Sequence, residues 1–140
     1  MKRRDPLTDQ ERSRQMALVK SKNTRPELAV RRMIWSMGFR YRLHATNVIG
    51  RPDIVLKKHR RIIFVHGCFW HRHKGCSRTR MPKTRVRFWK QKFQLNITRD
   101  KVVRKKLRQS GWKILVIWEC MSENASNLNK TLRRFLGDLS

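Results

Sequence analysis

The stretches Gly50–Asp53 and Val65–Cys76 gather a carboxylate (Asp53), three histidines (His66, His71, His73), two thiols (Cys68, Cys76) and two adjacent aromatics (Phe69, Trp70). Polar groups of this kind are costly to bury beside large apolar ones unless they are paired or bind a metal. The set has the parts for two chemistries. One is a structural metal site. The other is phosphodiester chemistry on a nucleic acid whose bases are wedged apart.

The metal reading starts from the thiols. Cys68 and Cys76, with Cys120 much later in the chain, supply three thiolates. Zinc in a closed structural site takes four soft or borderline ligands tetrahedrally. His66, His71 and His73 compete for the one imidazole place, and the closing pair with Cys76 favours His73. His66 and His71 are then left for chemistry, and His59 reads as a surface residue. An odd number of cysteines excludes a fully paired disulfide framework. With no secretory signal opening the chain, the expected location is a reducing cytoplasm.

Asp53 precedes an apolar stretch, and Pro52 fixes the chain's entry. A carboxylate at a sheet end can hold Mg²⁺, which stabilises charge developing on phosphate. Histidine moves a proton near neutral pH, which suits His66 and His71. Glu27 is the other acidic candidate, although its place at a helix start equally fits a capping-box glutamate. Asp53 equally fits a turn or cap aspartate.

The 140 residues suit one domain with a modest core. Lys and Arg number 36 against 9 Asp and Glu, a formal charge of +27. Such an excess repels itself and calls for a polyanion; nucleic acid fits because neutralised phosphates release counterions. A membrane is the weaker partner, since no apolar run approaches the roughly 18 residues a spanning helix needs.

The elements that must position these groups read as follows. Thr8-Asp9-Gln10-Glu11 and Thr24-Arg25-Pro26-Glu27 match capping boxes. The first opens a short basic helix to about Lys20. The second opens a helix with Val30, Met33, Ile34 and Met37 on one face, stopped at Gly38. Phe39–Leu43 alternates as a strand. Residues 54–56 and 62–65 read as a hairpin around a basic turn. Residues 84–109 form a long basic helix with Trp89, Phe93 and Ile97 on one line, stopped at Gly111. The run Ile114–Trp118 predicts a strand buried on both faces, and a last helix carries Leu128, Leu132, Phe135 and Leu136. The order predicts an α/β domain with a mixed central sheet and helices on both sides.

At these residues the chain resembles the very-short-patch repair (Vsr) mismatch endonucleases. The marks are Arg12-Ser13-x-x-Met16, Ser21-Lys22-Asn23-Thr24-Arg25-Pro26-Glu27, Gly50-Arg51-Pro52-Asp53, His66-Gly67-Cys68-Phe69-Trp70-His71 and Gly111-Trp112 with Val116-Ile117-Trp118-Glu119-Cys120. The resemblance implies a restriction-endonuclease-like fold with a structural zinc site. It implies nicking of one strand of double-stranded DNA beside the thymine of a T:G mismatch, of the kind left when 5-methylcytosine deaminates, as the start of very-short-patch repair. It implies Asp53 as the Mg²⁺ carboxylate and the Val65 carbonyl as a further metal ligand. His71 would act in proton transfer, and His66 would support the metal and phosphate end. Glu27 would hold His71 or a water at the metal. Cys68, His73, Cys76 and Cys120 would hold Zn²⁺. Phe69, Trp70 and Trp89 would insert beside the mismatch, while Met16 within a basic segment 1–23 would grip the opposite groove. The enzyme would act as a monomer in the bacterial cytoplasm, with the nucleoid when bound to DNA.

Three departures stand out. The acidic-x-lysine of restriction-like sheets is here Phe64-Val65-His66, a departure the Vsr family shares. Valine stands at 65 where threonine is expected. An extra residue lies between His73 and Cys76, which Gly75 could absorb. Among the aromatics, Trp89, Trp112 and Trp118 also suit core packing. Phe69 and Trp70, as neighbours in an extended segment, would point to opposite sides and stand exposed for stacking on bases. The rival readings are a zinc-stabilised nucleic-acid-binding protein without chemistry, and a less selective nuclease of the same fold. Asp53 and His71 argue against the first, since a pure binder gains nothing from a carboxylate that repels phosphate.

Overall fold

The computed structural model describes residues 23–137, so Met16 and the helix expected to end near Lys20 lie outside the described residues. Helix α1 spans Arg25–Ser36. The Thr24 side chain accepts the Glu27 N–H at 3.4 Å, and Pro26 sits in the first turn, where its missing N–H costs nothing. Val30 and Ile34 are fully buried, and the chain leaves the helix through Gly38 at φ +91°.

Four strands follow in the spatial order β1 (Arg42–Leu43), β2 (Ile54–Leu56), β3 (Arg61–His66) and β4 (Lys113–Trp118). The first two pairings are antiparallel. β3 and β4 are parallel and in continuous register from Arg61↔Lys113 to His66↔Trp118. A parallel pair needs a crossover, here supplied by the 67–85 loop and the 24-residue helix α2 (Val86–Gln109). Short α3 (Glu119–Ser122) and α4 (Ala125–Leu136) close the described fold.

Period-two alternation divides the core between the sheet's faces. Ile54, Leu56, Ile63 and Ile117 pack with Val30 and Ile34 of α1 and Leu128 and Leu132 of α4. Val55, Ile62 and Phe64 pack on the other face with Leu107 and Val103 of α2. This is the mixed α/β sheet with helices on both sides that the sequence predicts.

Three expectations need correction. Only Arg42–Leu43 of the expected 39–43 strand pairs, because Phe39 turns into the core and Arg40 lies over the Trp35 ring at 3.4 Å. β4 is the last strand of the described sheet: its apolar residues pack on both faces, Leu115 and Ile117 on one and Ile114 and Val116 on the other, but only Ile117 is fully buried. His59 is half-buried edge-on against Phe39, at 5.5 Å between ring centroids, and not a free surface residue.

Candidate active site and metal centre

Strand ends place the acidic and histidine groups together. Asp53 immediately precedes β2, and its Oδ2 accepts the Val65 N–H of β3 at 2.7 Å. Burial pushes its carboxyl up to about 6, against the lowering effect of that N–H, and the nearby Glu27 charge raises it further. Glu27, buried in the first turn of α1, accepts from the Asn23 N–H (3.1 Å), Arg31 (2.8 Å) and His44 Nε2 (3.0 Å), all at Oε2. One ligand atom from each of Glu27, His44 and Asp53 lies within 4.8 Å of the others.

His66 ends β3 and is buried. Its ring stacks on His71 at 3.8 Å and 7°. Burial, and then the neighbouring His71, press its pKa down to about 3, so it is a neutral imidazole at physiological pH. Its Nδ1 is buried and makes no hydrogen bond among the described residues. His71 Nδ1 pairs with Asp100 Oδ2 of α2 at 2.6 Å. Desolvation pushes Asp100 up, but the bond to His71 and the surrounding charges outweigh it and hold the carboxyl below its ordinary range. An ionised Asp100 accepts a hydrogen bond from the Nδ1–H, which fixes the tautomer and leaves His71 Nε2 with the lone pair.

Glu27, Asp53, His66, His71 and Asp100 line one open cavity of about 950 Å³, shared with Phe69 and Trp70 and edged by Arg51, Arg99 and Arg104. Its carboxylate oxygens, from Glu27 and from the Asp53 oxygen not bonded to Val65, suit a hard divalent cation.

A second constellation lies at the other side of the same loop. One ligand atom from each of Cys68, His73, Cys76 and Cys120 lies within 4.8 Å of the rest. His73 Nδ1 is 3.5 Å from Cys68 Sγ and 3.4 Å from Cys120 Sγ. Without a cation, burial pushes the Cys68 thiol up to about 12, while the Arg78 backbone N–H holds Cys76 below the ordinary thiol range. Three thiols and an imidazole at this spacing could hold a metal of the zinc type. Cys120 lies in α3, directly beyond β4, and β4 is the neighbour of the strand that feeds the loop. Gly75 stands at φ +76° with open space around it, a backbone conformation that glycine adopts readily, directly before Cys76.

Phe69 and Trp70 do not stand apart on an extended segment. The chain turns there, with bonds from His71 N–H to Gly67 O and His73 N–H to Cys68 O. Both rings therefore face one aromatic cluster: Phe69 lies edge-on to Trp70 (5.0 Å) and to Phe93 (5.2 Å), and Trp70 lies 6.0 Å from Trp89. Both are half-buried, while Trp89 is only 7% exposed and supports them from beneath.

Asp100 and His44 were not singled out from sequence. Asp100 carries a visible signal: it is the one acid in the strongly basic stretch 86–109. His44 carries none, because its role depends on a loop that returns to α1.

The sheet order, the carboxylates at its strand ends and the open cation-friendly cavity define a class, the restriction-endonuclease-like nucleases. The family model for the DNA mismatch endonuclease Vsr matches residues 4–78. The chain is 42% identical over 132 residues to the type II nicking enzyme V.XorIIP of Xanthomonas oryzae, covering 94% of this chain and 96% of that one. It is 37% identical to the type II nicking enzyme V.NmeAIP of Neisseria meningitidis, covering 96% of each chain. To the DNA mismatch endonuclease Vsr of Escherichia coli it is 36% identical over 109 residues, 78% of this chain and 69% of the relative. The chain belongs to the Vsr DNA mismatch endonuclease family.

Proposed function

We propose that this protein is a strand-nicking endonuclease that cuts double-stranded DNA beside the thymine of a T:G mismatch, such as arises from 5-methylcytosine deamination. It would work with Mg²⁺ in the open cavity and Zn²⁺ in the cysteine–histidine centre, as a monomer in the bacterial cytoplasm. The observation that carries the reading is the sharing of one cavity by the Asp53 carboxylate, the His66–His71–Asp100 stack and the Phe69–Trp70 pair. The no-chemistry alternative leaves that arrangement without a use.

Each group has a task. Asp53, Glu27 and the Val65 carbonyl would hold the cation, which when bound stabilises charge on the scissile phosphate. Asp100 fixes His71 so that Nε2 takes the proton from an attacking water, or gives one to the departing oxygen. His66, neutral and stacked on His71, holds that ring in plane. Arg51, Arg99 and Arg104 supply charge for the phosphates. Phe69 and Trp70, with Trp89 behind them, enter between bases where unstacking is cheapest, at a mispair.

The test uses end-labelled duplexes carrying T:G, T:A or C:G at one position, with Mg²⁺. The expected result is a single nick in the thymine strand of the T:G duplex alone. Equal cutting of all three would establish the less selective nuclease, and binding without cutting would establish the non-catalytic protein.

A further inference from the structure

Glu27 is held from behind by more donors than a helix cap requires. A capping-box glutamate satisfies one backbone N–H. Here three donors converge on a single oxygen, Oε2: the Asn23 N–H, the Arg31 guanidinium and His44 Nε2. Arg31 is itself buried and tied to Asn23 Oδ1 at 2.8 Å, and its carbonyl accepts from the Tyr41 hydroxyl. Glu27 lines the cavity, but Arg31 and His44 do not. With Oε2 saturated on the protein side, Oε1 is the oxygen left for the cavity.

His44 reaches this place at a cost. Its backbone is left-handed, φ +46°, which a non-glycine residue rarely adopts. The conformation is pinned by the His44 N–H on the Asp53 carbonyl at 3.2 Å, continuing the β1–β2 ladder. One residue therefore binds the main chain of Asp53 and the side chain of Glu27, the two carboxylates of the cavity. Strain held by surrounding structure at such a point marks a functional constraint.

We propose that His44 is a positioning residue. It would lock the Glu27 carboxylate in register with Asp53, so that the two present one pre-formed pair of oxygens to a divalent cation. His44 would not itself ligate the ion. This rests on the reading that Asp53 and Glu27 hold the cation. Partners that orient ligands from behind typically contribute about 10- to 100-fold in metal affinity or activity.

The experiment measures Mn²⁺ binding to zinc-replete protein by electron paramagnetic resonance, beside the metal dependence of T:G nicking. In His44→Ala, half-saturation by Mn²⁺ should rise roughly 10- to 100-fold. The single-turnover rate at saturating Mn²⁺ should fall much less, and T:G affinity and zinc content should stay at wild-type values. His44→Gln, whose amide still donates to Glu27, should recover most of the loss. Unchanged half-saturation in His44→Ala would overturn the proposal, as would failure of His44→Gln to improve on it. A nitrogen coupling to Mn²⁺ in the wild type that vanishes in His44→Ala would also overturn it, by making His44 a ligand. Asp53→Asn separates the two readings. If it binds Mn²⁺ like the wild type, the cation site itself is misplaced. If it loses Mn²⁺ while His44→Ala does not, only the role of His44 fails.

Discussion

The two metal-competent places of this molecule share one loop and differ in almost everything else. The Cys68–His73–Cys76–Cys120 centre gathers four soft or borderline donors within 4.8 Å of one another. The carboxylate cavity has hard donors already half-engaged by the protein: Asp53 by the Val65 N–H and Glu27 by its three donors. On the proposed reading, the first would hold its metal permanently and the second would be completed by substrate. They meet at Trp118, whose ring stacks on His73 at 4.2 Å and lies edge-on to His66 at 5.3 Å. Phe69, Trp70 and His71 lie between Cys68 and His73 in sequence. If both sites act as proposed, the soft site would hold the geometry that the hard site uses.

The largest effect should come from breaking the closed site. Cys120→Ala removes the ligand that joins the loop to α3, across 52 residues from Cys68. Structural zinc contributes folding free energy on the order of 10 kcal/mol in small domains. Loss of bound zinc, a much lower unfolding temperature and loss of all nicking are expected together, read by elemental analysis and calorimetry. A variant that keeps its stability without zinc would show that the two sites are independent.

Asp53→Asn should do the opposite: abolish nicking and leave folding and T:G binding intact. Its stability should even rise when no cation is present. A carboxyl at about 6, against an ordinary 3.8, is destabilising when ionised, by roughly 3 kcal/mol at neutral pH. That penalty is present above pH 6, fades as pH falls through 6, and is gone below about 4. The advantage of Asp53→Asn over wild type in metal-free unfolding should shrink over that window. A constant gap from pH 7 to pH 4 would mean that Asp53 is not desolvated as described.

Next in size is His71→Ala, which should slow single-turnover nicking about 10²–10⁴-fold, as for a lost proton-transfer group. Asp100→Asn keeps the shape but no longer dictates which nitrogen of His71 is protonated, so it should fall in the same direction by less. Wild-type rates in both variants would remove the pair from the chemistry.

Where periodicity governed the backbone, the sequence was readable. The Thr24 cap with Val30 and Ile34 placed α1, and alternating apolar residues placed the β2–β3 hairpin and its two faces. The cysteine–histidine set was readable because thiols are few and spacing restricts them. What escaped lies in contacts between distant segments. Asp100 meets His71 across 29 residues through the packing of α2 on the loop. His44 meets Glu27 across 17 through a left-handed turn. The Phe69–Trp70 segment was misread as extended because a ligand-bearing loop turns to bring its donors together, and period two does not apply there.

The smallest effect separates the aromatic pair from both metal places. Trp70→Ala removes a half-buried ring that packs on Phe69 and Trp89 but is not a donor to either site. Stacking on a base contributes roughly 1–3 kcal/mol, and the ring finds a cheap step to enter only at a mispair. T:G binding should weaken by that amount, and binding to fully paired T:A duplex by far less. The salt dependence should stay the same, since it reports cations on phosphates and none is lost. Lys92, which lies 5.7 Å from the Trp70 ring, remains in place to keep that charge constant. Zinc content should also be unchanged. Isotherms on both duplexes at several salt concentrations decide the matter. Equal losses on T:G and T:A would make Trp70 a packing residue of the aromatic cluster, and the open site would then owe its selectivity to something other than the loop that the closed site braces.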